Sequence, residues 1–215
     1  IQRSASVQLF KWLRGRDRSQ NKGDGRHLPG PGGDDLADLI VQLATIVLAQ
    51  GLVDEFRQRA KELAKTIKAA DLGQLERYFH HPPREPSGYD FRLHGLGGWL
   101  SACQFAIFEL VYNVGPDTLP FVRQIAWGEY DWTQGNAIEL LIRFAANGIQ
   151  TDEIVEEILS EFPKIRYEAS LYAVQPLVPL LARDENLRSV FERLRKCTAF
   201  EEAYVELTSS PDGKS

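Results

Sequence analysis

The chain has 215 residues, 43% hydrophobic and 26% charged, with a formal net charge of −5. That length is more than one typical domain and less than two, and that composition excludes a wholly disordered or low-complexity polymer. The charge is lopsided: residues 1–33 hold seven Lys or Arg against Asp17 and Asp24, a surplus of five, which leaves the other 182 residues at −10.

Residues 7–13, "VQLFKWL", place Val7, Phe10 and Leu13 at near-helical spacing with basic residues around them, the pattern of one short amphipathic helix. The following "RDRSQNKGDGRHLPGPGGDD" is rich in Gly, Pro and charge with almost nothing to bury, so residues 1–33 are predicted to be a basic arm and flexible linker. No uninterrupted apolar core of a signal peptide is visible there. The chain contains no methionine, from which either a missing start or the loss of methionines from the sequence is expected.

From Asp34 or Asp35 as a cap, Leu36, Leu39, Ile40, Leu43, Ile46 and Val47 recur at three and four, and Gly51 ends the pattern. This apolar run, Leu39 to Val53, is shorter than the roughly 18 residues a membrane span needs and is broken by Gln42 and Gln50. A second helix over 53–70 sets Phe56, Ala60, Leu63, Ala64 and Ile67 against a face of Arg, Lys and Glu. A third runs over 72–79. Residues 80–98 carry three prolines and four glycines, which excludes a regular helix.

After Gly98 the sequence repeats. "ACQFAIFELV" (102–111), "AIELLIRFAA" (137–146) and "AVQPLVPLLA" (173–182) align at offsets of 35 and 36, with amphipathic segments at 119–127, 152–162 and 187–195 interleaved. Each unit reads as a helix pair, and strand signals are nearly absent. A helix pair cannot bury its apolar face alone, so a period near 36 implies stacked hairpins. Over residues 99–195 the chain thus resembles HEAT or armadillo-like repeats. It departs from them in carrying Pro176 and Pro179 inside the last copy, where each removes a backbone donor and bends the expected helix. The predicted fold is all-α, an α-solenoid: N-terminal helices at 34–81, a Pro/Gly-rich loop at 82–98 and HEAT-like repeats at 99–207 in a single helical domain, with a disordered tail at 208–215.

The candidate site surrounds "WGEYDW", residues 127–132. Asp131 followed by Gln134 has the spacing of a capping box, Gly128 ends the preceding helix, and Trp127 and Trp132 staple the hairpin. Glu129 and Tyr130 remain at the tip of the turn, where solenoids meet partners. The next helix, "DEIVEEILSEF", has five carboxylates and no base. Trp127, Glu129, Tyr130, Asp152, Glu153, Glu156 and Glu157 are therefore the expected partner-binding residues, on a surface whose carboxylates, Asp131 and Glu161 included, are read as a surplus without counterions.

The chemistry signals are negative. His80, His81 and His94 with Glu85 and Asp90 match no metal-ligand spacing, and the His pair is read as the end of the third helix, where positive charge suits the dipole. No nucleophile elbow, phosphate loop or zinc-protease motif is present. Cys103 falls inside an apolar helical pattern, so it is expected as a buried, reduced thiol in a cytoplasmic protein. Neither a cofactor nor a metal is expected. The first reading is a non-enzymatic interaction protein with an acidic surface for a basic partner, by analogy with bacterial immunity proteins that neutralise basic toxins or nucleases, with neither nucleic acid nor a membrane expected as partner; the alternatives are a nucleic-acid enzyme resembling HEAT-like DNA glycosylases, its basic strip completed by Arg123, Arg143 and Arg166, against which the acidic repeat region counts, and a plain scaffold subunit.

Overall fold

The computed structural model describes residues 34–52, 54–95, 97–128 and 132–209. Among them the protein is all-helical and no strand occurs: α1 (Asp35–Gln50), α2 (Asp54–Ala64), α3 (Leu72–His80), α4 (Phe91–His94), α5 (Gly98–Val114), α6 (Leu119–Ala126), α7 (Trp132–Ala146), α8 (Thr151–Glu161), α9 (Tyr167–Val174), α10 (Glu185–Leu194) and α11 (Thr198–Ser209), with short 3-10 turns between some of them. The basic arm at 1–33 and residues 210–215 of the tail lie outside the described residues. The contacts divide the chain into two compact units, residues 1–114 and 115–215.

In the first unit, Asp34 caps α1 by accepting the Ala37 amide at 3.3 Å, which satisfies one of the helix's free donors. The same carboxylate receives Gln74 and Tyr78 of α3, so the start of α1 is tied to a helix 40 residues away. Ile40, Leu43, Ala44 and Val47 of α1, and Phe56 and Ala60 of α2, are buried at the three-and-four spacing read from the sequence. Both helices pack on α5, whose residues 101–111 are all buried. The Pro/Gly-rich segment is pinned by side chains: the Trp99 indole donates to the Pro83 carbonyl at 2.6 Å, and Tyr89 stacks on His94. It contains one short helix, α4, which its glycines and prolines had hidden.

The second unit is organised around α7. Residues 133–142 are all buried, with α6, α8, α9 and α10 against this helix. The helix is enclosed on every side, its polar Thr133, Gln134, Asn136 and Glu139 included. Small residues allow the closest approach: a Cβ on Gly135 would lie 2.3 Å from the Ala169 carbonyl oxygen and 2.5 Å from the Tyr172 Cβ. The end of α7 is a Schellman turn, in which the Gly148 and Ile149 amides reach the Ala145 and Phe144 carbonyls, with Gly148 at φ 79°.

The last repeat copy differs from expectation. Instead of one bent helix over 173–182, α9 stops at Val174 and a turn and a 3-10 segment (Val178–Leu180) follow. Pro176 and Pro179 have no amide to donate, so the backbone bonds to Tyr172 and Gln175 that would continue the helix are missing, and it ends rather than bends. Beyond it, Phe200 of α11 meets Phe162 and Phe191 with ring centroids 5.1 and 4.9 Å apart.

Candidate functional site

The acidic helix α8 is built to show one face to solvent. Ile154, Val155 and Ile158 point inward, while Asp152, Glu153 and Glu156 are exposed. The first-turn carboxylates Asp152 and Glu153 also sit where the helix dipole favours negative charge.

The surface is not a surplus of bare carboxylates. Arg123, in the last turn of α6, donates Nε to Glu157 Oε2 at 2.8 Å and Nη2 to Glu153 Oε1 at 2.9 Å. The Trp127 indole donates to the other Glu157 oxygen. Glu157 therefore has a donor on each oxygen and closes a clasp between α6 and α8. Arg193 of α10 lies 2.8 Å from Asp152, and Lys164 lies 2.8 Å from Glu161, whose carboxyl is held below its ordinary range by hydrogen bonds from Lys164 and then Ser160. Asp152, Glu153, Glu157 and Glu161 thus all have counterions. The partners of the first three lie at least 30 residues away in sequence, and helix packing rather than local charge pattern brings them in. Glu156 is different. It is exposed and makes no ion pair among the described residues.

At the junction, Trp127 closes α6, and its role is the bond to Glu157. Gln134 reaches back to donate its side-chain amide to the Gly128 carbonyl at 3.0 Å. Glu129, Tyr130 and Asp131 lie outside the described residues, and with them the tip pair and the cap.

The arginines expected to line a nucleic-acid groove are mostly engaged. Arg123 is in the clasp, and Arg143 lies 3.6 Å from Glu139 with both side chains largely buried. Arg166 is exposed at the start of α9. The histidines behave as the sequence suggests: His80 ends α3 and His81 caps it. No group of three or more His, Cys, Asp or Glu is placed to hold a metal ion among the described residues. Cys103 is fully buried, and desolvation pushes its thiol far above the usual range, leaving no thiolate for nucleophilic work.

Sequence reasoning missed Arg193, whose pairing depends on how α10 lies beside α8, and the Gly135 crossing, where a lone glycine inside a helical pattern was the available signal. No helix among the described residues is long and apolar enough to cross a membrane. No protein-family model matches the chain, and neither does any curated protein or solved structure.

Proposed function

We propose that the chain is a protein-binding module rather than an enzyme, its helix pairs stacked in HEAT-like fashion, and that the solvent face of α8 docks a basic partner protein in the cytoplasm. The observation that carries the reading is Glu156, exposed and without an ion pair among the described residues, beside Asp152 and Glu153, whose side chains remain 86% and 64% exposed while paired. Charges held at a rim in this way act chiefly on encounter rate and partner choice. The clasp through Glu157 supports the same reading, because it fixes α8 and so holds the three exposed carboxylates in a constant array. An inhibitor of the immunity-protein kind, opposing a basic toxin or nuclease, has this charge relationship to its target.

The test is affinity capture from the native host with wild-type chain and with Glu156→Lys, washed over a series of salt concentrations. A basic protein retained by the wild type at low salt, released by salt and lost with Glu156→Lys, is the expected outcome. Retention of the same proteins by both forms removes the acidic face from consideration.

A further inference from the structure

In the first unit, α2 and the turn that follows it carry a run of cations on their outer side. Arg57 and Lys61 are four residues apart on that helix, and Lys65 follows at the same interval. The amides of Lys65, Thr66 and Ile67 bond to the carbonyls of Glu62, Leu63 and Ala64, so one tighter turn carries the row past Ala64 before Lys68. Lys61, Lys65 and Lys68 are exposed and Arg57 is half-buried. None of the four makes an ion pair among the described residues, in contrast to Arg59 on the same helix, which lies 3.4 Å from Glu62. The opposite side, Phe56, Ala60 and Ala64, is buried.

At about 1.5 Å of rise per residue, Arg57 and Lys61 stand about 6 Å apart along the helix, and Lys65 and Lys68 follow beyond its end at Ala64, an open run of cations rather than a pocket. The large apolar side chains exposed among the described residues are Leu93, Leu100, Tyr167 and Val205, and none of them is on α2. A protein interface takes its energy from buried aromatic or aliphatic anchors, which this row lacks. Single-stranded nucleic acid is held by aromatic side chains under its bases, and those are lacking too. A partner recognised by charge alone must itself carry closely spaced negative charge, as a duplex does at one phosphate per about 1.7 Å of its axis. We propose that the Arg57–Lys61–Lys65–Lys68 row binds the phosphate backbone of duplex nucleic acid without regard to sequence.

The energy of such a contact is the release of counterions from the duplex, at roughly 0.9 of an ion per neutralised phosphate. The experiment is fluorescence anisotropy with the full chain and a labelled random-sequence DNA duplex, titrated with salt, for the wild type and for Lys61→Gln/Lys65→Gln, with circular dichroism confirming that the variant is folded. Arg183→Gln, an exposed cation of the second unit, is the control for general charge. The expected result is binding at low salt, with the slope of log affinity against log salt reduced by roughly 1.8 in the double variant and by less than half that in the control. An unchanged slope in the double variant overturns the proposal, because the basic arm or another surface is then responsible. So does an absence of binding at low salt. Displacement by poly-glutamate at equal charge concentration overturns it as well, because the row would then be selecting acidic protein.

Discussion

Gly135 of α7 passes so close to α9 that a methyl group on it would stand 2.3 Å from the carbonyl oxygen of Ala169. The obstruction is backbone, which cannot rotate aside as a side chain would. Gly135→Ala is therefore expected to destabilise the protein by about 1–3 kcal/mol despite the better helix propensity of alanine. Chemical denaturation is the measurement, and a variant as stable as the wild type would show that the two helices separate more easily than their packing implies.

Glu157 and Glu153 share Arg123 but differ in surroundings. Glu157 is largely enclosed, with its side chain 20% exposed, and serves the Trp127 indole as well, whereas Glu153 is 64% exposed. Removing Glu157 leaves two donors short of a partner, so Glu157→Ala is expected to cost about 1–3 kcal/mol. Glu153→Ala is expected to cost about 0–1 kcal/mol, the usual worth of an exposed pair. Equal losses in the two variants would mean that Glu157 is not the centre of the clasp.

Tyr78 links pH to stability in the first unit. Burial, and then its hydrogen bond to Asp34, push its hydroxyl above the ordinary value of 10.0. A raised pKa in the folded state stabilises the protein fully below the unfolded value, and that contribution is lost as pH rises through the folded value. Stability should thus decline on the alkaline side of pH 10. Tyr78→Phe should cost about 1 kcal/mol at neutral pH and flatten the alkaline decline. If both proteins decline alike, another group controls that limb.

Cys103 should be inert towards thiol reagents in the native state. It is wholly inaccessible, and its thiol is raised by burial. In a Cys197→Ser background, an aromatic disulfide reagent should find no thiol in the folded protein and one thiol in denaturant. Rapid native labelling would reveal that α5 opens far more readily than its packing suggests.

The helical periods of α1, α2, α6, α8 and α10 were legible in the chain because each buries one face and wets the other, which writes a three-and-four pattern into the sequence. The extreme copy of the repeat was misread for the opposite reason. "AVQPLVPLLA" keeps the apolar pattern, but the pattern reports what is buried rather than whether the backbone can donate its bonds, and the prolines decide the latter. The candidate site was legible as a charge count and illegible as a set of pairs. Arg123 is 30 residues from Glu153 and 34 from Glu157, distances over which a linear sequence has no voice until helices pack.

The turn into α8 holds an unspent margin. Gln150, just ahead of the acidic helix, has φ 46° and ψ 40°, a left-handed geometry that side chains with a Cβ resist, and its side chain makes no capping bond there. Asparagine occupies that region with less strain, so Gln150→Asn should raise the melting temperature and leave the exposed face of α8 chemically untouched. A more durable protein is thus one substitution away at a position that neither the clasp nor the proposed docking face uses.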